Sequence, residues 1–128
     1  MRALGCADAV THVERLRVYL EPFTAHPTSW DWAIDALAWG DMTAFLADDG
    51  ATTLVVMPER GGTLFVALIH SSSPGAVGRI IEPLNQLART LSCTQIACHA
   101  DDRARQRLYR QHGFRLREDG RLYLDVTG

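Results

Sequence analysis

Few side chains in this sequence have the type and spacing to do chemistry. His70 closes an apolar run, Thr63–Ile69, and is the titratable group at that end. An imidazole exchanges its proton near neutral pH, so it can serve as a base. Ser71, Ser72 and Ser73 follow it. They do not make a hydrolytic triad with it, because neighbours along an extended chain point to opposite faces. His99, Asp101 and Asp102 could hold a metal ion in principle, but no further ligand falls at a suitable spacing, and no metal site is expected. Cys6, Cys93 and Cys98 are odd in number and contain no CxxC pair. That argues against a disulfide framework and for a reducing, cytoplasmic setting. All 13 basic residues are arginine, which excludes a lysine nucleophile or a Schiff base. Neither a Walker loop nor a dinucleotide fingerprint is present.

The elements that must position these groups follow from periodicity. Asp8 can cap a helix with Val10, Val13, Leu16 and Leu20 on its apolar side, stopping near Glu21-Pro22. Thr24–Pro27 reads as a loop. Thr28 offers an N-cap, with Asp31 three residues on, for a second helix ending at Gly40. Trp30, Ala33, Ile34, Leu37 and Ala38 form one stripe of that helix, and Trp32, Ala36 and Trp39 a second. Met42–Ala47, Ala51–Met57 and Thr63–Ile69 read as an antiparallel meander, with a turn at Asp48-Asp49-Gly50 and a loop at Pro58–Gly62. Gly78–Leu91 is helical by spacing, and Thr94–Cys98 is a short strand. This strand, helix, strand order implies parallel pairing. Alternatively the helix starts at Ser73 as cap and Pro74 as first residue, which places Pro83 in its interior. Asp101 or Asp102 caps Arg103–His112, and Gly113 ends it. Phe114–Glu118 and Leu122–Val126 close the chain as a hairpin. Keeping its leucines on one face predicts a three-residue loop or a bulge, with Leu116 opposite Leu124.

Composition excludes several classes. A chain of 128 residues suits a single domain, 1–128, and 47% hydrophobic content is ample for a packed core rather than disorder. A net charge of -2 argues against coating nucleic acid. The apolar runs Leu54–Met57 and Leu64–Ile69 are far shorter than the roughly 20 residues of a membrane span. Met1–Thr11 lacks the apolar stretch of a signal peptide.

The segment Ala104–Phe114, A-R-Q-R-L-Y-R-Q-H-G-F, resembles the last helix and following strand of the GNAT acyltransferase superfamily. In that motif Leu108 packs under the sheet, Gly113 takes the left-handed C-terminal position and Phe114 enters the sheet. The element order is similar too, with Arg2–Leu4 as the first strand. The resemblance implies an α/β (α+β) fold, with a mixed, mostly antiparallel central sheet of about six to seven strands and about four helices on its two faces. It implies an acetyl-CoA-type or other acyl-CoA cofactor whose pyrophosphate lies on the loop and helix start Ser73, Gly75, Ala76, Val77, Gly78 and Arg79. Small residues there let backbone amides approach an anion at a positive helix end. The family's Gln/Arg-x-x-Gly-x-Gly/Ala pattern is not met in either alignment of this loop.

The same resemblance makes Tyr109 the general acid, His70 the candidate base, and Trp30, Trp32 and Trp39 the border of an acceptor site. The acceptor would be an amine-bearing small molecule or a protein N-terminus. Each has a plainer reading: Tyr109 as a packed core-edge ring, His70 as a structural strand end, the tryptophans as a broad buried face or a protein anchor. Arg103, Arg105, Arg107, Arg110, Arg115, Arg117 and Arg121 cluster near the C-terminus. They could meet cofactor phosphates, an acidic partner or nucleic acid, or form a solvated face. The alternative to an enzyme is a catalytically silent module of the same fold, using the tryptophan helix for protein partners or homo-oligomers. Divergent domains of that kind resemble bacteriophage proteins, including virion and assembly components.

Overall fold

The computed structural model describes residues 1–23 and 29–127. Seven strands are hydrogen-bonded in the order β1-β2-β3-β4-β5-β7-β6. The chain forms two compact units, Met1–Met57 with Ala67–Pro74, and Pro58–Val66 with Gly75–Gly128. No helix among the described residues is long and apolar enough to cross a membrane.

In the first unit, α1 (Cys6–Arg15) starts from an extended Gly5, with Asp8 inside its first turn rather than at the cap. The helix breaks at Leu16, resumes as α2 (Arg17–Leu20) and passes through a 3-10 turn, Glu21–Phe23, that takes in Pro22. Val13 and Leu20 are buried as expected, joined by Ala9. The cap of α3 (Trp30–Trp39) is Ser29, whose side chain accepts the Trp32 N–H at 3.1 Å; Thr28 and the loop 24–27 lie outside the described residues. Gly40 ends α3 at φ 83°, a left-handed turn that glycine adopts without Cβ strain. The buried stripe is Trp30, Ala33, Ala36 and Leu37, so Ala36 takes the inward place expected of Ala38. Trp30 donates its indole N–H to Glu14 at 2.9 Å, which satisfies the one polar atom of a buried ring.

Strand β1 (Arg2–Ala3) pairs antiparallel with β2 (Thr43–Leu46), and β2 pairs antiparallel with β3 (Thr52–Glu59). β3 runs two residues further than its apolar pattern, through Pro58 and Glu59. The expected loop therefore shrinks to a turn in which Gly61 and Gly62 are left-handed.

In the second unit, the first residues of β4 (Thr63–Ser71) pair parallel with β5 (Gln95–His99), from Thr63↔Gln95 to Val66↔Cys98. The connection is α4 (Ala76–Thr90), whose inward face is Val77, Ile80, Leu84 and Ala88. It starts behind Gly75, two residues before Gly78 and not at Ser73. Pro83 consequently lies inside the helix, where it offers no N–H to the carbonyl four residues back. β5 pairs antiparallel with β7 (Arg121–Asp125), and β7 with the edge strand β6 (Arg115–Leu116). The hairpin loop has three residues, as expected, but they are Glu118, Asp119 and Gly120. Gly120 at φ 83° and an Asp119 carboxylate that accepts the Arg121 N–H set that position. Leu116 therefore faces Leu122 rather than Leu124, and it stays exposed while Phe114 is buried.

Helix α5 (Arg103–Gln111) is capped by Asp102, which accepts the Arg105 N–H at 2.8 Å. The expected inward leucine is the outward one: Leu108 is 41% exposed and Tyr109 only 5%. Adjacent helical positions lie about 100° apart, so α5 can turn one of the pair inward, and the Tyr109 ring takes that place edge-on to Phe114 at 5.3 Å.

One sheet face of this unit is covered by side chains of arginine. Phe65, Ala97 and Tyr123 form a row across β4, β5 and β7. The Arg121 guanidinium lies 4.2 Å over the Phe65 ring and makes a two-pronged pair with Glu59 at 2.8 and 3.0 Å. Arg117 lies 4.2 Å over Tyr123, whose hydroxyl donates to Asp119. Arg121→Ala should cost about 2 kcal/mol, since it removes a stacked cation and leaves a half-buried carboxylate unpaired. Urea denaturation reads the loss, and Glu59→Gln should cost less because Arg121 keeps its stack on Phe65.

Candidate functional site

The loop after β4 is held by a chain of hydroxyls. The Asp49 carboxylate accepts the Ala51 and Thr52 backbone N–H groups at 2.9 and 3.1 Å, and the Thr52 hydroxyl at 2.9 Å. The buried Thr52 Oγ1 lies 2.8 Å from Ser71 Oγ, which accepts the Ser73 N–H at 3.1 Å. Ser73 is thus tied to its own loop and does not cap α4. The Asp-x-x-Thr spacing marks the local turn in the sequence, but nothing in it points to Ser71, nineteen residues away.

Helix α4 starts without a side-chain cap and without an acidic residue in its first turn. Gly75, at φ 76°, leads into it, and a Cβ there would stand 3.3 Å from Arg79 Nη1. The Arg79 guanidinium therefore folds back over the helix start. Uncapped amides, the positive end of the helix dipole and a guanidinium together favour an anion. Of the remaining expected cofactor residues, Ala76 is half-buried and Val77 turns inward into the core. Gly78 serves packing: a Cβ would stand 3.2 Å from the ring of His112, which closes α5 at its C-terminal end.

His70 lines a cleft of about 750 Å³ in the first unit, together with His12, Leu16, Tyr19, Thr53 and Ile69. The His70 ring lies against Tyr19, centroids 4.9 Å apart. His12 Nε2 is 2.8 Å from Thr53 Oγ1. Among the described residues, the ionisable side chains of the cleft are these two imidazoles and one phenol, with no carboxylate or guanidinium. Such a wall can take a proton from an amine without trapping it as an ion pair. His12 and Tyr19 were not legible as site residues, because only the turn from α1 into α2 brings them to the end of β4. None of the three tryptophans lines this cleft. Trp30 is buried beneath α1, while Trp32 and Trp39 point outward, 42% and 82% exposed.

In the second unit Tyr109 sits near Cys98 and Arg105. Burial raises the phenol pKa and the Cys98 sulfur adds to that, while the Arg105 charge and hydrogen bond oppose it. The hydroxyl therefore keeps its proton through the neutral range. Burial pushes the Cys98 thiol up to about 12, against an opposing Arg105 charge. Among the described residues no three His, Cys, Asp or Glu side chains gather as a cation site.

Solved structures share this arrangement of elements. A Bacillus subtilis acetyltransferase in complex with CoA superposes with a TM-score of 0.66 at 18% identity, covering 91% of this chain and 93% of that one. An IAA acetyltransferase from Bacillus cereus gives 0.72 at 13% identity, covering 98% and 97%. A Desulfovibrio desulfuricans protein assigned to the GNAT acetyltransferase family gives 0.68 at 15%, covering 98% of each chain. This chain has the GNAT acetyltransferase fold. No family model and no curated protein sequence matches it. The mixed, mostly antiparallel seven-stranded sheet is the one expected of that fold, with five α-helices among the described residues in place of about four because the first is broken at Leu16.

Thr52→Val should destabilise the protein by about 1–3 kcal/mol, because the Asp49 and Ser71 oxygens lose a buried partner; thermal or urea unfolding measures it. Native thiol labelling at mildly alkaline pH should modify Cys6 alone, which is exposed, whereas Cys93 and Cys98 are buried and react on unfolding. The Cys98 pKa lies higher in the folded chain than the ordinary value of 9.0. Its contribution to stability is full below pH 9.0 and is lost as pH rises through about 12. The melting temperature should fall across that window, less steeply in Cys98→Ala.

Proposed function

We propose that this protein, acting as one domain over residues 1–128, transfers an acyl group from a CoA thioester to a primary amine. The observation that carries this reading is the start of α4. Its amides are uncapped behind the left-handed Gly75, and Arg79 folds over them. Gly75, Ala76, Val77, Gly78 and Arg79 would hold the pyrophosphate through backbone N–H groups, with Ser73 shaping the approach. When bound, the thioester supplies the activated acyl group.

The chain's own residues would do the rest. His70 takes the proton an ammonium must lose before its nitrogen can attack. Tyr109 holds, at its hydroxyl, the proton that a departing sulfur needs. Its raised pKa keeps that proton in place at neutral pH. Among the described residues the cleft offers the amine no carboxylate, so nothing in its lining favours the ammonium form. The acceptor is a small amine or a protein N-terminus.

A second reading is a silent module of the same fold that works through protein contacts. The exposure of Trp32 and Trp39, neither of which lines the His70 cleft, favours it.

Acetyl-CoA at about 100 times its dissociation constant should stabilise the chain by about 2.7 kcal/mol, a rise in melting temperature on the order of 10 °C. Gly75→Asp should abolish that shift, since it brings a carboxylate to the helix start. Absence of a shift in the wild type at millimolar ligand would leave the silent module standing. With a turnover assay in hand, Tyr109→Phe should lower kcat about 100-fold at unchanged KM, keeping the ring on Phe114 and the melting temperature.

A further inference from the structure

Two helices each present a face that the rest of the described chain leaves uncovered. On α3 that face carries Asp31, Trp32, Asp35 and Trp39, all exposed. On α5 it carries Arg103, Arg107 and Arg110, all exposed. None of those three arginines has an ion pair or a ring partner among the described residues. A tryptophan that is 82% exposed and three unpaired guanidiniums are complementary in chemistry, because guanidinium stacks on indole more favourably than on any other ring.

The spacings match as well. Along α3, Trp32, Asp35 and Trp39 are separated by three and four residues. Read from its C-terminal end, α5 presents Arg110, Arg107 and Arg103 at three and four residues. Both triplets span about 10.5 Å at the rise of an α-helix. Laid antiparallel, the helices would put Trp32 against Arg110, Asp35 against Arg107 and Trp39 against Arg103. The result is a cation–π contact at each end and an ion pair in the middle. We propose that the α3 face of one molecule docks antiparallel on the α5 face of a second copy.

The contact joins two different faces, so it is head-to-tail: one partner keeps a free α5 face and the other a free α3 face, and each can take a further neighbour. Two helices of this length meet over less area than a permanent dimer needs, so the association is weak and concentration-dependent. Charge carries much of it, and salt weakens it. This proposal goes beyond acyl transfer and does not depend on it.

Sedimentation velocity of the full chain tests the proposal. The wild type should show a sedimentation coefficient that rises with concentration into the high micromolar range, and less so in about 0.5 M salt, where the screening length is about 4 Å. The double variant Trp32→Ser/Trp39→Ser and the single variant Arg107→Glu should each remain monomeric. Every substituted side chain is exposed, so circular dichroism should match the wild type. An equimolar mixture of the two variants decides the matter, because one brings an intact α5 face and the other an intact α3 face. It should form a 1:1 dimer that grows no further. A wild type that stays monomeric at all concentrations would overturn the proposal, as would a mixture that stays monomeric. Association lost in the tryptophan variant but kept in Arg107→Glu would mean tryptophan-to-tryptophan contact instead. A monomeric protein whose Arg107→Glu variant loses binding to a labelled oligonucleotide would reassign the α5 face to nucleic acid.

Discussion

Parallel pairing of β4 with β5 is the constraint from which the rest of the second unit follows. Parallel neighbours cannot be joined by a tight turn; the chain must return to the starting end before the next strand begins. Helix α4 makes that return, and its inward stripe of Val77, Ile80, Leu84 and Ala88 exists to pack while it does so. A crossover helix necessarily begins beyond the carboxyl end of the strand it follows. Its first amides have no partners in the helix. The N-cap residue, Gly75, has no side chain to take them, and it lets the backbone turn into the helix without a Cβ in the way. The helix start proposed to bind an anion is thus a by-product of the connection the sheet requires.

The inventory of cations shapes the surface in the same indirect way. With arginine as the sole basic side chain, charge and stacking come together wherever a cation is placed. Arg121 covers Phe65 while pairing Glu59, and Arg117 covers Tyr123. A lysine could neutralise Glu59 but could not roof the ring with a planar group. The arginines of β7 and its hairpin therefore do structural work, whereas those on the outer face of α5 have no such duty. The cluster near the C-terminus, uniform in sequence, divides into two populations in space.

Much of the fold was legible because it rests on short-range rules. The turn at Asp48–Gly50, the left-handed close of α3 at Gly40, the Asp102 cap and the three-residue hairpin loop are decided within a few residues of chain. Errors came where neighbouring positions compete for one place. Ala36 and not Ala38 turns inward, and Leu116 faces Leu122 because Gly120 and Asp119 shift the loop by one residue. The exchange of Leu108 for Tyr109 is of the same kind. Hydrophobicity alone favours the leucine inside, but the Phe114 ring edge and the neighbouring Arg105 are there to receive the tyrosine.

What the sequence determined by itself is the order of its elements and the chemistry it can never perform, since these depend on composition and on periodicities of two and 3.6 residues, while the class of fold followed from the resemblance of that order and of Ala104–Phe114 to a known superfamily. Tertiary structure alone decided which of the candidate groups share a surroundings. It set Thr52 between Asp49 and Ser71, brought His12 and Tyr19 to His70, and turned Trp32 and Trp39 away from the core that holds Trp30. Those meetings join residues far apart in the chain, and their geometry comes from the packing of helices on strands, which no local pattern encodes.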